Sequence, residues 1–213
     1  MYFRSSEGKA IVLALAEAIA ENKNYLSEID GLIGDGDHGA NMNKGFSMFV
    51  NRAEGKDLDL ADALKLLSRT LMGDIGGSMG PLYGTIFIEM SKKTRDLDVI
   101  GSDVFAGALE AALIGVKTIG GAQAGDKTLI DCLEPAVLAF RGSVDNGADF
   151  RGALENMKTA AITGRDSTKD MVAKVGRSSR LGERSRGVLD AGAASCCVLL
   201  CAMVGAIEGV LTG

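Results

Sequence analysis

At 213 residues the chain fits one large domain or two small ones, long enough to bury a core without a disulfide or metal staple. An apolar fraction of 46% with 24% charged residues is that of an ordinary soluble globular protein, and the scarcity of aromatics, 5%, favours closely packed helices over sheets. A formal net charge of −5 excludes the clustered basic surface of a nucleic-acid binder.

In chain order, the first predicted helix runs from Ser5 or Ser6 to about Asn22, with Ser5 as candidate N-cap and Asn22 and Asn24 marking its exit. The stretch "MYFRSSEGKAIVLALAEAIAENK" does not read as a signal peptide. A glycine-rich stretch, "IDGLIGDGDHGANMNKGF" (29–46), then leads into a helix from about Asn41 to Ala53. Leu60, Leu64, Leu67 and Leu71 are spaced as on one helical face, and Gly73, Gly76 and Gly77 break that pattern. Another helix runs from about Pro81 to Lys93. Asp103 begins the next, which aligns Phe105, Leu109, Leu113 and Val116. After the loop "IGGAQAGDKT", residues 128–141 place Leu129, Leu133, Val137 and Phe140 on one side. Residues 149–163 form a weaker, alanine-rich helix. The basic stretch "GRDSTKDMVAKVGRSSRLGERSRG" follows; its first part extends that helix, and the rest reads as an active-site loop. The uncharged segment 191–207, bounded by Asp190 and Glu208, is at the lower limit of a membrane span and reads better as a buried bundle helix. No segment alternates as a half-buried strand does. The expectation is a single all-α domain, residues 1–213, of about eight helices. The four cysteines, three of them crowded into the last helix, read as buried reduced thiols in a cytosolic protein.

Named phosphate and cation motifs fit poorly. Gly34, Gly36 and Gly39 spell G-x-G-x-x-G, but no convincing strand precedes them. An EF-hand register from Asp35 puts Ala40 at position 6 and Phe46 at position 12, which fails. "GGAQAGDKT" approaches a P-loop, yet Asp126 intrudes before Lys127; a helix N-cap is the plainer role for Asp126. A direct reading serves better. Glycines on either side let Asp30, Asp35 and Asp37 converge, and three carboxylates that repel one another are reconciled by a divalent cation. Oxygen-only ligands select a hard ion, Mg²⁺ or Ca²⁺. His38 and Asn41, at the start of the following helix, can then meet phosphate. The glycine-dense segment Gly73–Thr85 allows close backbone approach to a ligand. Arg177, Arg180, Arg184 and Arg186 offer guanidinium forks suited to phosphate.

The pieces "IGDGDHGANMNKGF", "GGSMGPLYGT", "GDKTLID" and "GRSSRLGERSRGVLDAGAAS", in this order, resemble the nucleotide-binding L subunit of bacterial dihydroxyacetone kinases over essentially the whole chain. The resemblance implies an antiparallel barrel of about eight helices with ADP or ATP and two Mg²⁺ ions at one end. It implies Asp30, Asp35 and Asp37 as metal ligands. His38, Gly39, Ala40 and Asn41 would line the phosphates, Ser78, Met79, Gly120 and Leu129 would border the nucleotide, Arg177 would reach it, and Asp190, Ala191 and Gly192 would close the pocket. In that family the sugar is held by a histidine on another subunit or domain. The only histidine here is His38, so the resemblance implies a K-type partner subunit that carries dihydroxyacetone or a related ketose such as erythrulose. In some members ADP is a coenzyme recharged by a phosphocarrier subunit of the phosphoenolpyruvate-dependent system; in others ATP is the donor. The chain departs from the family's usual pattern at Met79, Arg180 and Ala191, around the nucleotide and the partner-facing mouth. A cytoplasmic location follows from the same resemblance. Two other readings stand beside it: a nucleotide-charged module that binds a transcription factor, and a lipid-binding helical barrel suggested by the apolar last helix.

Overall fold

The computed structural model describes residues 1–213. Eight α-helices make the fold: α1 (Gly8–Ile33), α2 (His38–Ala53), α3 (Leu60–Asp74), α4 (Met79–Thr94), α5 (Ser102–Gly120), α6 (Ile130–Asp145), α7 (Phe150–Ser167) and α8 (Ala191–Val210). Each packs on the next, and α8 returns to α1, so the order of neighbours closes on itself, as a helical barrel requires. Apolar faces of all eight meet in one contiguous cluster of 53 buried residues. The expected faces are buried in place, including Leu60, Leu64, Leu67 and Leu71 on α3 and Phe105, Leu109, Leu113 and Val116 on α5.

Several boundaries differ from the sequence reading. Helix α1 does not stop at Asn22 but runs eleven residues further, to Ile33. Leu26, Ile29 and Ile33 continue its buried face, and that burial outweighs the local preference of Asn22 and Asn24 for turns. Asn22 turns its amide onto the Ala18 carbonyl of its own helix, 2.8 Å away, and so adds a bond without ending the helix. Ser5 is not the cap of α1: it belongs to a short 3-10 turn, and Glu7 precedes the helix. Helices α2 and α4 begin earlier than expected, at His38 and Met79.

Two three-residue strands also escaped the periodicity search, because alternation needs more residues than that to show. β1 (Tyr2–Arg4) pairs antiparallel with β2 (Val99–Gly101), and Thr212 bridges Tyr2. They join both chain ends to the α4–α5 connection. Below them Phe3, Phe105, Phe140 and Phe150 pack edge-on or tilted, with ring centroids 5.3–6.4 Å apart. This closes one end of the assembly. The short connections make sequential helices antiparallel, so the loops after α1, α3, α5 and α7 gather at the opposite end.

The uncharged helix α8 is long and apolar enough to cross a membrane, but 56% of its most apolar window is buried against the other helices. Cys132, Cys196 and Cys197 are buried and Cys201 is partly so, and all four are free thiols.

Pro135 lies inside α6 and has no N–H to give the Asp131 carbonyl one turn earlier. Gly164 of α7 packs directly over that carbonyl, and a Cβ there would overlap its oxygen and crowd Pro135. The helix pair can approach this closely only with glycine at position 164. Gly164→Ala is expected to cost about 2 kcal/mol, lowering the melting midpoint by roughly 4–8 °C. Gly142→Ala, in the same α6 with open space around it, is expected to raise stability by about 0.5–1 kcal/mol. Thermal and urea unfolding of the two variants checks both signs.

Candidate functional site

At the end opposite the aromatic cluster lies a cavity of about 770 Å³. Its walls come from the ends of α1 and α5, the starts of α2, α4, α6 and α8, and the segments 76–78, 120–129 and 175–178. Antiparallel order makes the even-numbered helices begin here. Their first-turn N–H groups therefore face the cavity end, each start carrying partial positive charge. Of these four starts, only that of α8 is capped by its own N-cap side chain, Asp190. At α6 the Ile130 N–H is taken by Thr128 Oγ1 at 3.2 Å, at α2 the His38 N–H points to Asp30, and the start of α4 has no side-chain partner. At the far end α3 and α7 are capped by Asp59 and Asp149. The first turns of α2 and α4 keep N–H groups that an anion in the cavity could meet.

Asp30, Asp35 and Asp37 converge beside these donors, with one carboxylate oxygen from each within 4.8 Å of the others. Asp30 lies in the last turn of α1, Asp35 in the connection, and Asp37 immediately before α2. Gly36, at φ +76°, supplies the left-handed turn that brings the last two back toward Asp30. Asp30 Oδ2 accepts weakly from the His38 backbone N–H at 3.3 Å, which orients it. The Arg177 guanidinium pairs with Asp35, so the cluster's cationic partner in this structure is an arginine. The donor set is all carboxylate oxygen and half exposed to the cavity. It suits a hard divalent cation that keeps positions for water and phosphate, as Mg²⁺ does.

Of the other expected site residues, His38, Asn41, Ser78, Met79, Gly120, Leu129, Arg177, Asp190, Ala191 and Gly192 line the cavity. Gly39 and Ala40 do not. Gly39 is pressed against α1, where a Cβ would overlap the Lys23 carbonyl, and Ala40 is exposed. Burial lowers the His38 pKa, partly offset by the Asp30 charge. Asp190 Oδ2 accepts from the Ala193 N–H at 2.8 Å. Removal from water raises the Asp190 carboxyl to about 6, opposed by that N–H and by the Lys127 ammonium. Ile33, Leu82, Val116, Ile119 and Ile130 add an apolar wall that sequence reading did not single out.

The arginine-rich stretch behaves differently from expectation. Only Arg177 of its four arginines reaches the cavity. Arg186 is used at the base of the loop, on the Asp170 carbonyl and on Glu183 at 3.1 Å, and Arg180 and Arg184 are exposed. Asp126 is not the cap of α6. It accepts from Gln123 N–H at 2.8 Å and faces Lys174, while Asp131, inside the helix, reaches back to the N–H groups of Gly125 and Thr128 at 2.5 and 2.7 Å.

Lys127, which the sequence offers only as the lysine of a failed P-loop, has another role. It is 1% exposed and has φ +62°, so its side chain turns inward from the loop. Its Nζ donates to the carbonyls of Thr168 (2.8 Å), Met171 (3.2 Å), Ser185 (2.6 Å) and Val188 (2.6 Å). The first two lie on the outgoing limb of the 168–190 segment and the last two on its return, so one ammonium pins both limbs. The strap between them carries Arg177 over the cavity. In "GDKT" the lysine has the place of a phosphate ligand in a P-loop, but here its donors are committed to these carbonyls.

Comparison with known proteins agrees with this architecture. A family model described as the DAK2 domain matches residues 32–205. The chain is 40% identical over 189 residues to the ADP-binding subunit DhaL of PEP-dependent dihydroxyacetone kinase 1 from Listeria innocua, covering 88% of this chain and 89% of that one. It is 37% identical over 180 residues to the ADP-binding subunit DhaL of the PEP-dependent dihydroxyacetone kinase of Escherichia coli, covering 84% and 86%. Among solved structures, the dihydroxyacetone kinase from C. freundii in complex with AMP-PNP and Mg²⁺ shares the fold with a TM-score of 0.72 at 24% identity. That alignment covers 93% of this chain but only 33% of the kinase.

Lys127→Met keeps the length of the side chain but strands the carbonyls of Met171, Ser185 and Val188, while that of Thr168 keeps the Met171 N–H at 3.3 Å. It is expected to cost at least about 3 kcal/mol and to open the strap. Urea unfolding reads the first effect. Limited trypsin digestion reads the second, as faster cleavage after Lys174, Arg177, Arg180 and Arg184 than in the native chain.

Proposed function

This chain belongs to the DAK2-domain family, and from that premise we propose that it is the nucleotide-binding subunit of a dihydroxyacetone kinase. In this reading residues 1–213 act as one domain. A phosphoryl group passes from the nucleotide held here to dihydroxyacetone, or a related small ketose, on a separate K-type subunit. The observation that carries the reading is the meeting of three carboxylates, Asp30, Asp35 and Asp37, with the uncapped helix starts of α2 and α4 around one cavity.

Two Mg²⁺ ions on those carboxylates would neutralise phosphate charge as it shifts during transfer. The chain's own residues do the rest. Asp30, Asp35 and Asp37 hold the cations. First-turn N–H groups of α2 and α4, with Asn41 and Ser78, orient the phosphates. Arg177, charged at any working pH, exchanges Asp35 for a phosphate oxygen once cations occupy the cluster. Gly120 and Leu129, with the neighbouring apolar wall, take the base, and Asp190, Ala191 and Gly192 close the far side. The strap excludes water from the donor. Catalysis of this kind is positioning and electrostatics, with no covalent intermediate on this chain.

The resemblance puts the ketose on a histidine of another subunit, and the sole histidine here, His38, lines the nucleotide cavity with its Nε2 2.8 Å from Ser195 Oγ. This supports a K-type partner that brings the sugar. A strap pinned by Lys127 fits slow nucleotide exchange, with ADP retained as a coenzyme and recharged by a phosphocarrier of the phosphoenolpyruvate-dependent system.

Asp35→Asn and Asp37→Asn are expected to lower phosphoryl transfer at least about 100-fold and to remove the Mg²⁺ dependence of ADP binding. Both side chains are exposed, so unfolding free energy should change by less than about 0.5 kcal/mol. Calorimetric titration of ADP with and without Mg²⁺, beside a transfer assay with a K-type subunit, checks them; unchanged Mg²⁺-dependent binding in both variants defeats the assignment. Native mass spectrometry of the purified chain is expected to show retained ADP with two Mg²⁺. An empty chain active only with added ATP would assign the donor role to free ATP instead.

A further inference from the structure

His38 opens α2, lines the cavity and is the sole histidine of the chain. Its Nε2 lies 2.8 Å from Ser195 Oγ on α8. Ser195 Oγ lies in turn 2.6 Å from the Tyr83 hydroxyl on α4. Ser195 is 0% and Tyr83 2% exposed. Both hydroxyls also lie 3.1 Å from the Gly192 carbonyl. Three helices that begin at the cavity are thus joined by one line of polar atoms, and two of its members, Tyr83 and Ser195, have no part in the function as derived so far.

Each hydroxyl has one proton to give, so the line has a direction. Burial, reinforced by nearby cysteines, pushes the Tyr83 phenol well above its ordinary pKa and keeps it protonated. A phenol is a stronger donor than an alkyl hydroxyl, and a neutral imidazole nitrogen is a better acceptor than a hydroxyl or carbonyl oxygen. The order that uses both is Tyr83 O–H to Ser195 Oγ, and Ser195 O–H to His38 Nε2. It runs along the contacts of 2.6 and 2.8 Å, both near ordinary hydrogen-bond length. Two other orders each spend a proton on a 3.1 Å contact to the Gly192 carbonyl, a weaker acceptor than imidazole: the Tyr83 proton can go there, or the Ser195 proton can, with Nε2–H then donating to Ser195 Oγ. Hydrogen bonds in series polarise and strengthen one another. With Nε2 accepting, a neutral ring carries its proton on Nδ1. Nδ1 has no protein partner, and the only buried side-chain nitrogen or oxygen without one is Ser5 Oγ, so Nδ1 is accessible from the cavity His38 lines.

The geometry points to Tyr83 and Ser195 as positioning residues that hold His38 in the Nδ1–H tautomer, a fixed hydrogen-bond donor to a phosphate oxygen of the nucleotide. The phosphate half of this inference rests on reading the cavity as the nucleotide site. The opposite tautomer would turn a nitrogen lone pair toward an anionic oxygen and repel it.

A single histidine makes the ring directly observable. The chain is labelled with ¹⁵N-histidine, any affinity tag is removed, and two-bond ¹H–¹⁵N correlations are recorded at mildly alkaline pH. The native ring is expected to show a protonated Nδ1 and an unprotonated Nε2. Ser195→Ala, which removes the donor to Nε2, is expected to shift the ring to the Nε2–H form and to weaken Mg-ADP binding roughly tenfold. Tyr83→Phe is expected to give a mixture of tautomers and a smaller loss. A purely structural role for Ser195 would move the melting midpoint and leave the tautomer alone. A native ring in the Nε2–H form, or a Ser195→Ala ring still in the Nδ1–H form, overturns the relay whatever the nucleotide affinity. A tautomer switch with unchanged ADP affinity overturns the phosphate contact. Failure of the native chain to bind ADP faults the nucleotide reading, and the ring spectrum still decides the relay.

Discussion

Antiparallel order in a closed cycle of eight helices is the constraint from which the site follows. Four helices must begin at one end, and their unpaired N–H groups collect there. At the other end two strands and four phenylalanine rings tie the chain's beginning to the α4–α5 turn, leaving the loop end free to be hollow. A polyphosphate suits that hollow, because helix starts favour negative charge. Asp30 has the opposite situation. It lies in the last turn of α1, where the helix dipole disfavours a carboxylate, and it faces two more acids. One weak bond to the His38 N–H and the Arg177 pair only partly offset this conflict, and a bound cation would resolve it.

Lys127 supplies what the helices cannot. The 168–190 segment is long, its only regular structure is two 3-10 stretches, Thr168–Asp170 and Arg177–Ser185, and the carbonyls these leave unpaired require partners. One buried ammonium shares its three N–H donors among four of them and fixes the height of the strap above the cavity. Arg177 is held at the cavity by this clamp, and the base of the strap runs directly into Asp190 and the start of α8. A change at Lys127 would therefore be felt by residues that do not touch it.

Much of the helical layout was legible because it rests on periodic burial. Leu60, Leu64, Leu67 and Leu71 announce α3, and the aspartates among glycines announce a turn that gathers three carboxylates. The length of α1 was not legible. Asn22 and Asn24 are genuine turn formers, and only packing against the rest of the core rewards Leu26, Ile29 and Ile33 enough to carry the helix through them. Placement of the arginines was equally hidden: composition made four of them candidates, and loop geometry admitted Arg177 alone. Lys127 looked like a spoiled phosphate lysine because its inward direction is set by a left-handed backbone that no spacing rule reveals.

The amino-acid sequence by itself determined the all-helical class, the core faces and the chemistry of the acidic cluster, since these depend on residue type and on neighbours within a few positions along the chain. Tertiary structure alone decided which groups meet. His38 finds Ser195, 157 positions away, and Ser195 finds Tyr83 at a separation of 112. Lys127 reaches carbonyls 41 to 61 residues on. Such contacts are set by how the helices close into a cycle, and local propensity carries no information about partners that distant.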